Sequence, residues 1–151
     1  DWVEYICNRF SVTGKQISEQ LAERISQAVD NHSSYVQQLA WLVWIHTDKI
    51  ATEKDFESAY QDIIDQNTPL FEKQTESLTT YQMNFLRAVL DGVHSEFTKQ
   101  EILNKYQLGT SANISIVKRA LEKKELIEIE KRKIIIPDPI MSVWLKRELG
   151  I

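Results

Sequence analysis

The chain has 151 residues, a formal net charge of −4, 42% hydrophobic and 26% charged residues, the balance of an ordinary globular protein. Only 4 glycines and 3 prolines interrupt it, which argues against a many-stranded sandwich and for mostly helix. Its one cysteine, Cys7, cannot form an internal disulfide, and no apolar run approaches the ~18–20 residues of a membrane-spanning helix, so disulfide-framework and helical membrane classes are excluded and a cytoplasmic location is expected.

The charge is uneven. Residues 1–78 hold 6 Lys/Arg against 13 Asp/Glu, a net of −7, and residues 79–151 hold 12 against 9, a net of +3. A sign change between halves points to two modules with different partners.

In chain order, Trp2, Val3, Ile6 and Phe10 share one face of a first helix, and Ser11–Lys15 reads as a turn around Gly14. Ile17, Leu21, Ile25 and Val29, at four-residue spacing, give a second helix, which Asn31 is expected to close in a left-handed conformation. Ser33 is the expected cap of a third helix over about 34–47, apolar on more than one side and therefore central. Thr52 caps a fourth, with Phe56, Tyr60, Ile63 and Ile64 inward; Pro69 is expected to enforce its stop after Asn67, leaving residues 68–78 as a connector.

The second half has a different grammar. Thr79-Thr80-Tyr81-Gln82 and Thr98-Lys99-Gln100-Glu101 both fit capping boxes, and each opens a helix. Leu108-Gly109-Thr110 is a turn, and Ser111 starts a helix carrying Ile114, Val117 and Leu121. Residues 126–130 alternate as a strand, Lys131-Arg132 turn it, and residues 133–136 return. Asp138-Pro139 opens a last helix with Met141, Trp144 and Leu145 inward.

Three helices followed by a hairpin is the order of a winged helix. The expected fold is mainly α: a helical, lid-like bundle over 1–67, a connector over 68–78, and a winged helix-turn-helix with a small β-hairpin wing over 79–151.

No catalytic constellation stands out. Arg9–Gln16 looks like a phosphate loop, but Arg9 stands where glycine is needed and Gln16 where Ser/Thr is needed, and it follows a helix rather than a strand. The 3 histidines lack ligand spacing, so no metal site is expected, and Cys7 reads as a structural thiol. The 4 tryptophans are expected to be mostly core. The strongest binding candidates are Asn113, Ser115, Lys118 and Arg119 on the third helix of the second half, with Lys131, Arg132 and Lys133 at the wing tip: a recognition helix reads base edges while wing cations meet phosphates. Glu122, Glu125, Glu128 and Glu130 lie among them and reduce the field.

Several runs resemble the C-terminal region of the archaeal-type P-loop ATPase family, of the AAA+/STAND class. They are Asn31-His32-Ser33 followed by Tyr35-Val36-Gln37-Gln38-Leu39-Ala40; Asp62…Gln66-Asn67…Leu70-Phe71-Glu72; Leu78-Thr79…Gln82; Ile116-Val117-Lys118-Arg119-Ala120-Leu121; Leu126-Ile127; and Asp138-Pro139 leading to Trp144-Leu145. The resemblance covers nearly the whole chain. Ser33 stands where the family usually has proline, and Glu125 where it often has glycine. The resemblance implies a helical lid, with Asn31, His32, Ser33 and Tyr35 beside a nucleotide, and a winged helix that passes the ATP state to duplex DNA or a protein partner. It further implies that the phosphate loop and its ATP and Mg²⁺ belong to an upstream P-loop domain, so this chain alone is expected not to be an enzyme. The chain opens at Asp1, not methionine, and is expected to be a piece of something longer. The alternatives are a stand-alone winged-helix regulator with a helical dimerisation domain, and a protein-interaction module.

Overall fold

The computed structural model describes residues 1–151: eight α-helices and one two-stranded antiparallel hairpin, grouped into two compact units, Asp1–Pro69 and Leu70–Ile151. The mainly α architecture with a small wing is thus present. No helix is long and apolar enough to cross a membrane.

The N-terminal unit contains α1 (Trp2–Val12), α2 (Glu19–Ala28), α3 (Ser33–His46) and the first part of α4 (Glu53–Thr75). Ile6, Phe10, Ile25, Val36, Leu39 and Ile63 are almost wholly buried and form its core. At the end of α2, Asp30 and Asn31 are both left-handed (φ 50° and 58°). The Asp30 N–H donates to Gln27 O and the Asn31 N–H to Ser26 O, closing the helix with the paired bonds that satisfy its last carbonyls. The reversal ends one residue earlier than the sequence suggests: His32, still extended, is the N-cap of α3, and Ser33 is already helical, so it caps nothing. Thr52 does cap α4, its Oγ1 accepting from the Asp55 N–H while Asp55 accepts from the Thr52 N–H.

Pro69 does not end α4, which continues to Thr75. Proline removes one backbone donor and crowds the carbonyl four residues back, at a cost of ~3 kcal/mol. Two features of the chain offset it. Pro69 and Asp65 are both exposed, so the orphaned carbonyl belongs to a residue at the surface. Beyond the proline, Phe71 is fully buried in the C-terminal unit, its ring 5.6 Å from that of Trp144. Residues 68–75 are therefore helix rather than connector.

The C-terminal unit holds the end of α4, then α5 (Thr80–Leu90), α6 (Gln100–Tyr106), α7 (Ser111–Lys123), β1 (Glu128–Glu130), β2 (Lys133–Ile135) and α8 (Pro139–Leu149). The Thr79/Gln82 capping box is formed in both directions, and Asp138 caps α8 ahead of Pro139. The second box is not formed: Lys99, not Thr98, is the N-cap of α6, without a side-chain bond. The cause lies just upstream. Phe97 is buried against Phe85 with ring centroids 4.4 Å apart, and Glu96 takes a positive φ of 60°, so residues 96–99 form a turn anchored by Phe97 instead of a cap.

After α7 the Glu125 N–H donates to Glu122 O and the Leu126 N–H to Leu121 O, with Glu125 left-handed at φ 61°. That conformation is the one glycine adopts without a Cβ penalty. Leu126 and Ile127 are consecutive and both buried, while Glu128, Ile129 and Glu130 are all exposed, so the alternation expected over 126–130 is absent and the strands are shorter than the sequence suggests. In the hairpin Glu128 faces Ile135, Ile129 faces Ile134 and Glu130 faces Lys133. The two turn residues, Lys131 and Arg132, both have positive φ (50° and 66°), the geometry of a tight turn usually built from Asn-Gly.

Candidate functional site

Between α6 and α7 the chain turns through Gln107 (φ 54°) and Gly109 (φ 82°). A Cβ on Gly109 would lie 3.3 Å from both Asn113 Nδ2 and the Tyr81 ring, so a tight fit as well as the positive φ favours glycine there. Asn113 Nδ2 donates to Leu108 O (3.0 Å) and Asn84 Nδ2 to Gln107 O (3.1 Å), pinning the corner that sets α7 against the rest of the unit.

The seven residues singled out on α7 and the wing do not behave alike. Asn113 is half-buried, and its amide N–H already serves the turn. Ser115 and Arg119 are exposed on one stripe of α7, with Ile116 beside them. Lys118 is half-buried on the stripe of Ile114, four residues apart on one helix face, and Lys131, Arg132 and Lys133 are exposed at the tip. Lys118 and Arg132 both line one cleft of about 380 Å³, whose buried apolar lining is Phe97, Ile114 and Ile134, with the exposed Ile129 beside them.

Sequence reasoning missed the third wall of that cleft, the segment His94–Thr98. Its placement comes from a long-range pairing that no local pattern signals. Ile134 N–H donates to His94 O (2.8 Å), and His94 Nδ1 lies 2.9 Å from Ile134 O, so Nδ1 carries the donated proton and Nε2 is left for other partners.

In the N-terminal unit, the junction of α2 and α3 presents Asn31, His32 and Ser33 to solvent, whereas Tyr35 is buried, its ring 5.0 Å from that of His32. On the same unit, α1 and α3 enclose a second groove of about 380 Å³ between Tyr5, Arg9, Gln37, Trp41 and Trp44. Trp41 is 59% exposed and Trp44 and Trp2 are only half-buried; Trp144 alone among the tryptophans is core, which overturns the expectation for that residue type.

Cys7 lies half-buried with Sγ 3.8 Å from Ile17 O, and burial, then the charge of Glu19, pushes its thiol up, away from thiolate reactivity. Tyr106 donates to the Asp91 carboxylate, which together with burial pushes its hydroxyl up to about 12. No group of three His, Cys, Asp or Glu side chains could hold a metal ion.

A helix-turn-helix corner followed by a two-stranded hairpin defines the C-terminal unit as a winged helix. Residues 69–147, more than half of the chain, match the family described as a probable winged helix domain, and the chain belongs to that family. Among curated proteins nothing matches. Among solved structures, the chain is similar to the Walker-type ATPase PABY2304 of Pyrococcus abyssi, with a TM-score of 0.75 at 16% identity. That likeness covers 96% of this chain but 41% of the ATPase, so the chain spans under half of its length, and at this identity it speaks for the fold.

Proposed function

We propose that the chain is the C-terminal, nucleotide-responsive portion of a larger cytoplasmic ATPase of the AAA+/STAND type, whose upstream P-loop domain holds ATP and Mg²⁺. In this reading the N-terminal unit is the lid, and the winged-helix unit binds duplex DNA weakly and changes its binding with the ATP state. The observation that carries it is the similarity of fold over 96% of the chain to a protein described as a Walker-type ATPase. Two features lend support. The α3 N-terminus has exposed Asn31, His32 and Ser33 and no side-chain cap, so its amides and dipole suit an anion such as a nucleotide phosphate. The winged unit, residues 70–151, holds 13 Lys/Arg and 11 Asp/Glu, a net of +2, against 5 and 11, a net of −6, in residues 1–69.

The chain by itself then neither hydrolyses ATP nor binds it tightly, because it lacks the loop that wraps the phosphates. The full-length reading frame tests this: a glycine-rich phosphate loop upstream of Asp1 is expected, and its absence overturns the reading. Calorimetry of the chain with ATP and Mg²⁺ tests it independently, since micromolar binding or turnover would contradict it.

A further inference from the structure

We infer that the cleft between α7, the wing and the His94–Thr98 segment is a built phosphate-binding site, with Lys118 and Arg132 as its cations and the hydroxyls of Ser95 and Thr98 as neutral donors. The inference rests on the duplex-binding reading of the winged unit and names the group of the duplex that this cleft receives, a backbone phosphate.

Three observations carry it. First, Lys118 and Arg132 reach the cleft from two different elements, a helix and a hairpin tip, and neither makes an ion pair or hydrogen bond within the chain. The one carboxylate that lines the cleft, Glu96, is engaged by Lys99 at 2.9 Å, so it is already paired. Second, the buried part of the lining is apolar, made by Phe97, Ile114 and Ile134. Charges of one sign above low-dielectric walls focus the field and attract an anion more strongly than the same charges on an open surface. Third, the wing tip holds Arg132 in a left-handed conformation that arginine rarely adopts, and the backbone bond between Ile134 and His94 ties the hairpin to the third wall. A helix, a strained turn and a loop are thereby locked around one space. Monoanionic phosphodiesters and free phosphate share the chemistry this site recognises, tetrahedral oxyanions accepting several hydrogen bonds.

The test uses the full chain in two arms, amide NMR with inorganic phosphate and fluorescence anisotropy with a short duplex. Phosphate is expected to shift amides of residues 94–98, Lys118 and Arg132 with millimolar affinity, and Lys118→Gln to abolish those shifts. In the duplex arm, Ser95→Ala combined with Thr98→Val should weaken binding three- to tenfold, and Lys118→Gln should lower the salt slope by about 0.9, the release expected for one phosphate. All three substituted positions are at the surface or half-buried, and far-UV circular dichroism checks that the variants remain folded. If the duplex binds but ignores the Ser95/Thr98 and Lys118 variants, the cleft is not a phosphate site while the duplex reading survives. If phosphate binds in the cleft and the duplex does not bind at all, the site stands, its source is a free phosphate group, and the duplex reading falls. Shifts scattered outside the cleft overturn the inference.

Discussion

The two units expose opposite kinds of surface. The N-terminal unit is acidic and opens an aromatic groove between α1 and α3, with Trp41 and Tyr5 in solvent. The C-terminal unit is mildly basic and opens a cleft whose rim is cationic and whose buried lining is apolar. The pair shows that composition averaged over the chain hides the charge of its parts: the net of −4 describes neither unit. Stability is also built differently. The N-terminal unit places only Asp30 and Asn31 among its non-glycine residues at positive φ, types that tolerate it. The C-terminal unit places Glu96, Gln107, Glu125, Lys131 and Arg132 at positive φ, where such side chains are disfavoured. More backbone strain is held in the unit with the cationic cleft, next to it at Glu96 and Arg132.

The largest expected effect attacks the reach of α4. Phe71→Ala should destabilise the C-terminal unit by about 3–5 kcal/mol, because a fully buried ring beside Trp144 leaves a cavity. Urea unfolding followed by tryptophan fluorescence reads it; a loss below 1 kcal/mol would show that residues 70–75 are not anchored in that core. Next, Pro69→Ala should stabilise by about 2 kcal/mol, the helix-interior penalty of ~3 less the entropy alanine returns to the unfolded chain. A destabilised variant would mean the helix stops at the proline after all.

Two smaller effects sharpen the claim of strain. Glu125→Gly should stabilise by about 1 kcal/mol, since glycine takes φ 61° without penalty. Tyr106→Phe should cost about 0.5–1.5 kcal/mol near neutral pH through loss of the bond to Asp91. The sign with pH follows from a hydroxyl raised to about 12 in the fold against ~10 when unfolded. The bond's stabilisation is complete below pH ~10 and declines as pH climbs toward 12. The difference between wild type and variant should therefore shrink between pH 9 and pH 12 in parallel denaturation curves; a constant difference contradicts the assignment.

What could be read in advance was local. The Thr79/Gln82 box and the Asp138-Pro139 start each depend on side chains within four residues of the backbone they serve. What could not be read depended on distant partners. Thr98 loses its capping role because Phe97 packs on Phe85, α4 passes Pro69 because Phe71 meets Trp144, and the third wall of the cleft exists because His94 pairs with Ile134. The cations Lys118 and Arg119 on α7 and Lys131, Arg132 and Lys133 at the hairpin tip are legible in the sequence. That Lys118 and Arg132 share one cleft, while Asn113 serves the turn, is a fact of tertiary packing.

In the proposed function the winged unit binds duplex DNA electrostatically through its cleft and tip. Anisotropy titrations of the full chain between 50 and 200 mM salt test it most directly. Contacts from Lys118, Arg119, Lys131, Arg132 and Lys133 predict weak binding with a slope of log affinity against log salt no steeper than about −4.5. Changing Lys131, Arg132 and Lys133 together to alanine should flatten that slope by up to about 2.7. No binding at 50 mM, or a slope that the triple substitution leaves unchanged, would contradict the account.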